Sequence, residues 1–469
     1  MKERKQNTTA QAIGCLKDGR VEPESTWGAQ TFMRISENSL VATQPSLSNL
    51  LDLIVSPKNM NEAYKQVKSN GGAGGVDQAG VEALLPYLRA HGEELIASIK
   101  DGSYRPNPVR RVEIPKDGGK KRLLGIPTVV DRTIQQAISQ VLIPIYEPKF
   151  SDNSYGFRPN RDCHKALRKV QKYVGEGYKY CVDLDLEKFF DTVNHSKLIE
   201  VLSRTIKDGR VISLIHKYLN AGVVVAHKFE ESLMGVPQGG PLSPVLSNIM
   251  LNELDKELER RGHRFVRYAD DCMVLCKSKR SAERTCESII TFIEKRLFLK
   301  VNREKTHVDY IGHGLKYLGF SFYVKNGECR LGLHPKTKAK QKAKLKELTA
   351  RNNGMGYDKR KEKLEEYIRG WVDYYWMADA RNYLQATDQW LRRRLRMCIW
   401  KSWKKVSTRG KNLIKCGIGK CQAWQWANTR KGYWHVANSY ILARAISNEN
   451  LKRMGYPCLM DYYEEWRKR

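Results

Sequence analysis

The chain has 469 residues, 41% of them hydrophobic and 29% charged, which describes an ordinary soluble protein long enough for two or three domains with real cores. Its 83 Lys and Arg against 51 Asp and Glu leave a formal charge of +32. Self-repulsion on that scale points to a polyanion as the usual partner, nucleic acid first. No apolar run approaches the roughly 20 residues of a membrane span, and the polar start MKERKQNTTAQ lacks the apolar core of a signal peptide. The eleven Cys form no C-x-x-C pair or Cys/His cluster of zinc spacing, so reduced thiols in the cytoplasm, with no membrane partner, are expected.

In chain order, residues 1–50 read as a polar, loosely ordered arm leading into a helical stretch near Leu50–Val67. SNGGAGGVD, residues 69–77, is a flexible glycine loop too irregular for a dinucleotide fingerprint. Helical pattern over Val81–Ile99 precedes VRRVEIPKDGGKKRLLGIP, where a DGG turn separates two short strands. Apolar residues recur at helical spacing from Asp131 to Tyr146, and YGFRPNRDCHKAL opens another basic helix. Between Tyr180 and Tyr323 strands and helices mix, as in an α+β domain on an antiparallel sheet. After His334-Pro335 the chain turns helical, through the lysine ladder KTKAKQKAKLK and then WLRRRLRMCIWKSWKK. Residues 331–469 hold 32 basic against 12 acidic residues and nine of the ten Trp, a mixture suited to phosphates and exposed bases but equally to a charged helical domain with a Trp-filled core. Arg392, Arg393, Arg394 and Arg396 are its candidate phosphate contacts.

Two segments carry chemistry. In YCVDLDLEKFFDTVNH, residues 180–195, Tyr180, Val182, Leu184 and Leu186 alternate with Cys181, Asp183 and Asp185, so the strand presents carboxylates on one face. In FVRYADDCMVL, strands Phe265–Tyr268 and Cys272–Leu275 flank a turn with Asp270 and Asp271 at its tip. Adjacent carboxylates raise each other's pKa and resist burial unless a cation compensates. An Asp-Asp turn by itself also fits a solvated hairpin tip. If the two strands are neighbours, three carboxylates converge, hard oxygen ligands of the kind that accept a pair of Mg²⁺ ions for in-line phosphoryl displacement.

Seven segments in order carry a wider likeness: RLLGIPTVVDRTIQQAI, SYGFRPNRDCHKAL, VDLDLEKFFD, GVPQGGPLSPVLSNIMLNELD, RYADD, VNREKT and YLGF, followed less sharply by EEYIRGWVDYY. Through them the chain resembles the reverse transcriptases and maturases encoded by bacterial group II introns. The resemblance implies an α+β right-hand polymerase: an N-terminal extension and fingers over 1–180, a palm with an antiparallel sheet over 181–332, and an all-helical thumb or maturase domain over 333–469. It further implies that Asp185, Asp270 and Asp271 hold two Mg²⁺ ions, with the Leu186 carbonyl as an extra ligand, while Asp183 and Asp191 are structural or support the ligands from behind. Lys116 and Arg122 match the residues that clamp the triphosphate, Phe190 the ring that excludes a 2′-hydroxyl, and Gln238 the contact to nucleotide and template. Ser243-Pro244 looks like a helix cap followed by proline in the first turn. Lys305 either assists pyrophosphate departure or is a packing or phosphate-bonding lysine.

The function so implied is an RNA-directed DNA polymerase that binds its intron RNA, assists splicing and copies the intron during retrohoming. Its partners would be group II intron RNA, an RNA template with a DNA primer, deoxynucleotides and target DNA, with a homodimer left open and action at the bacterial nucleoid. The chain stops at YYEEWRKR without zinc-type cysteine pairs, which resembles the endonuclease-lacking class. Two rivals remain: a domesticated reverse transcriptase in host defence, and an RNA-binding splicing factor with a vestigial polymerase.

Overall fold

The structure is a computed structural model and describes residues 49–115, 121–226 and 228–468. The expected arm, up to residue 48, and Lys116 lie outside these residues. The chain divides into two compact units after Ile311. The expected boundary between fingers and palm at residue 180 falls inside the first unit, whose apolar core runs from Leu50 to Val301.

The first unit begins with helices Leu50–Ile54 and Pro57–Asn70; the second starts where the Ser56 hydroxyl accepts the Asn59 N–H and Pro57 supplies the first helical residue. The expected flexible glycine loop is clamped. Arg132 donates to the carbonyls of Gly71 and Ala73, at 3.0 and 2.8 Å, and Arg110 donates twice to that of Gly74. Strands β1 (Val109–Pro115) and β2 (Lys121–Ile126) form the expected antiparallel hairpin. β1 also pairs in parallel with β4 (Val223–Val225), which pairs with β5 (Lys228–Glu230).

The helix Val129–Tyr146 is buried around most of its circumference. Thr128 caps it, accepting the Asp131 N–H and donating its hydroxyl to the Asp131 carboxylate at 2.6 Å. Burial pushes the Asp131 carboxyl up, against hydrogen bonds from Thr128, Tyr104 and Asn107 that favour its charged form. The functional sheet is four-stranded, in order β6 (Arg264–Tyr268), β7 (Asp271–Cys276), β3 (Tyr180–Leu184) and β8 (His307–Tyr310), with every neighbour antiparallel. The expected antiparallel sheet is therefore present.

One buried polar network fixes the β6–β7 turn. Arg267 and Asp255 are both fully buried, and the guanidinium donates to both carboxylate oxygens at 2.7 and 2.5 Å. Its remaining nitrogen donates to the Asn248 side chain at 3.0 Å and to the Ala269 carbonyl at 2.9 Å. Asp255 and Asn248 both come from the helix Ser243–Arg260, so that helix, the strand and the turn are tied at one point. The segment containing SYGFRPN joins the same knot: Arg267 N–H donates to Asn153 O, Tyr155 N–H donates to Arg267 O, and Asn248 donates to Gly156 O. A Cβ on Gly156 would lie 2.2 Å from the Ala269 nitrogen, so only glycine lets this segment pack beneath the turn.

The second unit opens with a three-stranded sheet of β9 (Lys316–Tyr317), β10 (Phe320–Lys325) and β11 (Glu328–Leu333) and continues in helices to Lys468. This sheet groups with the helices, whereas the sequence placed residues up to 332 with the palm. The lysine ladder lies in the helix Pro335–Leu348, where His334 accepts the Lys336 N–H as a cap. The ten described cysteines are free thiols. No helix among the described residues is long and apolar enough to cross a membrane.

Removing one partner of a fully buried, hydrogen-bonded ion pair strands the other charge, at a cost of about 3–5 kcal/mol. Arg267→Met should lower unfolding stability by about that amount, read from a urea titration, and Arg267→Met with Asp255→Leu should recover much of it. A single-mutant loss under about 1 kcal/mol would show that Asp255 does not depend on this arginine.

Candidate active site

In β3 and just past its end, Val182 and Leu184 are buried while Asp183 and Asp185 are partly exposed, as the alternation predicts. Cys181 departs from it, being fully buried on the acidic face. The β3–β7 register ends at Leu184 opposite Cys272. Asp185 therefore follows one member of the last pair as Asp271 precedes the other, and the two acids fall side by side at one end of the sheet. Asp271 pairs with Tyr268 to close the hairpin, with Ala269 and Asp270 as its turn. Ala269 has φ of +57°, a conformation disfavoured for a residue with a side chain, and the Arg267 bond to its carbonyl holds it there.

The segment VNREKT wraps the end of β3. Asn302 N–H donates to Asp185 O at 2.9 Å, Asp185 N–H donates to the Thr306 hydroxyl at 3.2 Å, and Glu187 N–H donates to Lys300 O at 2.8 Å. These flanking groups form the bridge between Leu186 and Val301, so it makes no use of the Leu186 carbonyl. Lys305 Nζ lies 2.9 Å from Asp185 Oδ2, with both side chains partly exposed.

The expected neighbouring strands are present, but the side chains do not converge as expected. Among the described residues no group of three or more His, Cys, Asp or Glu side chains is arranged to hold a metal ion. Asp185 is engaged by Lys305. The donor chemistry and the backbone register still suit a divalent cation: hard carboxylate oxygens come to one sheet end, and the carboxylate of Asp185 already holds a cationic group there.

Phe190 lies in the short helix Phe189–Thr192, half-buried, with its ring edge-on to Phe189 at 5.2 Å. The GVPQGG segment packs against it, Val236 N–H donating to Phe190 O at 2.6 Å. Two residues on, Gln238 O accepts the Gly125 N–H at 2.6 Å, which ties this loop to β2, the strand of Arg122. Gly239 has φ of +122°, and a Cβ there would lie 2.5 Å from Gly125 O, so the close approach needs glycine. Ser243 is not the helix cap expected. Leu242 takes that place, and the Ser243 hydroxyl donates to Pro237 O at 2.6 Å, bracing the loop.

Sequence reasoning missed Arg267, Asn248 and Asp255, although all three lie inside quoted motifs. It also missed Arg111, whose guanidinium is 4.0 Å from Asp191 beside Phe190. Nothing in local pattern marks these residues as partners, since each pair is distant in sequence.

The four arginines lie on the helix Arg381–Ser402 of the second unit. Arg394 is 9% exposed and donates to the Thr349 hydroxyl and the carbonyls of Lys346 and Thr349. The expectation of a phosphate contact is corrected for this residue, because its charge is buried and its donors are spent on a helix end. Arg396 donates to Ile446 O and the Asn448 side chain, and Arg392 to Asn448 O. Arg393 stacks 3.9 Å over the exposed ring of Trp434 and donates to its carbonyl. Arg392, Arg393 and Arg396 thus brace later segments, and Arg394 an earlier helix end. Trp371 and Trp400 fill the core of this unit, as the packing interpretation of its tryptophans predicts.

Two family models match: Reverse transcriptase (RNA-dependent DNA polymerase) over residues 114–322, and Group II intron, maturase-specific domain, over residues 338–417. Protein YkfC of Escherichia coli is 35% identical over 62% of this chain and 88% of its own length. The group II intron-encoded protein LtrA of Lactococcus lactis is 32% identical over 62% of this chain, which spans only 59% of LtrA. A putative COX1/OXI3 intron 2 protein of Saccharomyces cerevisiae is 28% identical over 63% of this chain and 41% of its own length. With both matches falling in the order that the seven motifs set, this chain belongs to the reverse transcriptases that carry a group II intron maturase domain.

Proposed function

We propose that the protein is an RNA-directed DNA polymerase that also binds a group II intron RNA, assists its splicing and copies it into target DNA. The observation that carries this reading is the register that sets Asp185 beside Asp271 at the end of the sheet, next to the Asp270 turn and within the reverse transcriptase match. Asp185, Asp270 and Asp271, with the Leu186 carbonyl, would hold two Mg²⁺ ions. When bound, these would neutralise charge on the reacting phosphate and orient an in-line attack by a primer 3′-hydroxyl.

The chain's own residues supply position. Lys116, together with Arg122 on β2, takes the triphosphate of an incoming deoxynucleotide, Arg122 presenting a fork suited to phosphate oxygens. Gln238, on a loop fastened to both β2 and the Phe190 helix, meets the nucleotide and template. Phe190 fills the space a ribose 2′-hydroxyl would need. In this reading residues 1–180 act as extension and fingers, 181–332 as palm and 333–469 as thumb and maturase domain, acting on the nucleoid in a bacterial cytoplasm.

The C-terminal unit suits RNA because Gln389–Asn448 contains no Asp or Glu and fourteen Lys and Arg. Several of its arginines are used internally, so the phosphate-binding charge falls to exposed lysines. Lys404, Lys405, Lys411 and Lys415 are exposed and make no side-chain bond or ion pair among the described residues.

The full chain should extend a DNA primer on an RNA template in Mg²⁺, and Asp270→Ala with Asp271→Ala should abolish extension while leaving intron RNA binding intact. Absence of extension by the unmodified chain on any primed RNA would overturn the polymerase reading. Phe190→Ala should raise ribonucleotide incorporation in single-nucleotide extension, and unchanged sugar discrimination would place another residue beneath the sugar. Replacing Lys404, Lys405, Lys411 and Lys415 with Ala should weaken intron RNA binding on filters. The log–log salt slope should flatten by about 0.7–0.9 for each lost contact. An unchanged slope would remove this surface from the interface.

A further inference from the structure

Lys305 reaches Asp185 from a mount that Asp185 itself anchors. The turn Asn302–Thr306 closes on itself, with Lys305 and Thr306 N–H groups donating to Asn302 O at 3.2 and 2.8 Å. Asn302 N–H then binds the Asp185 carbonyl and Thr306 Oγ1 accepts the Asp185 N–H. Lys305 is therefore fixed relative to the Asp185 backbone by two hydrogen bonds, and its ammonium falls 2.9 Å from Oδ2. This engagement accompanies the lack, among the described residues, of any three-carboxylate ligand set at the sheet end.

From this geometry we infer that Lys305 is a displaceable stand-in cation: its ammonium and a divalent metal ion are alternative occupants of the Asp185 carboxylate. The inference rests on the reading of Asp185 as a metal ligand. Without a metal, the ammonium held at Asp185 offsets the charge of that carboxylate. The pair is 58% exposed on the lysine and 39% on the aspartate, so water screens it. Such pairs shift an equilibrium by only about 1.4- to 5-fold, enough to bias an unneutralised side chain yet small enough for a divalent ion to overcome. Lys305 is a positioning residue in this account, acting through Asp185 on when the site accepts metal.

The test is binding of Mn²⁺ to the full chain without nucleic acid or nucleotide, followed by the electron paramagnetic resonance of the free ion. Lys305→Met should tighten Mn²⁺ binding by about 2- to 5-fold, while Lys305→Arg, which keeps the charge, should stay near the unmodified value. Asp185→Asn should weaken binding and erase the gain from Lys305→Met. If Lys305→Met leaves affinity unchanged or lower while Asp185→Asn weakens it, the stand-in role is wrong and the metal-ligand reading stands. If Asp185→Asn binds Mn²⁺ like the unmodified chain, the metal-ligand reading fails, and the inference with it. Both side chains are partly exposed, so none of these variants removes core packing.

Discussion

The candidate site rests on a charge pair that water never reaches. Arg267 and Asp255 are fully buried, and a buried ion pair is tolerable only when every remaining donor finds an acceptor. Here the surplus guanidinium donors go to Asn248 and to the Ala269 carbonyl, so satisfying the charge also fixes the turn Ala269-Asp270 that leads into Asp271. The same arginine's backbone accepts and donates hydrogen bonds from the Asn153–Tyr155 segment. Three motifs far apart in sequence meet there: the guanidinium joins two of them, and the Arg267 backbone with the Asn248 side chain binds the third.

Around that knot, backbone carries the geometry and side chains carry the charge. The β3–β7 register makes Asp185 and Asp271 neighbours, whatever their side chains do. The GVPQGG loop reaches both β2 and the Phe190 helix through main-chain bonds at 2.6 Å, which is why glycine is required where two backbones meet. β2 and the helix that carries Phe190 are thereby linked through one loop, with Gln238 in it. Lys305 then sets the electrostatic state of the sheet end through a contact that solvent leaves weak.

The basic residues of the second unit divide by burial. Arginine serves inside, since its fork satisfies several carbonyls at once: Arg394 holds a helix end at Thr349 and Arg396 the chain at Ile446. Lys404 and Lys405, by contrast, are exposed. Counting charge along the chain does not separate these roles, because a helical row of arginines reads alike whether it faces carbonyls or solvent.

Much was legible in sequence. Alternation in YCVDLDL marked a strand with acids on one face, the turn in RYADD marked a hairpin, and the helix over Val129–Tyr146 followed from apolar spacing, because these periods are set by local backbone geometry. The order of motifs identified the family, and with it the candidate site residues. Sequence did not show that Asp185 would face Lys305, that Arg394 would be buried, that Ser243 would brace Pro237, or that the Gly71–Gly74 loop would be clamped by Arg110 and Arg132. Apart from Ser243 and Pro237, which are close in sequence, each of these is a choice of partner across a long loop of chain. Local propensity fixes which way a residue points from its own strand or helix, but only packing decides what it meets there.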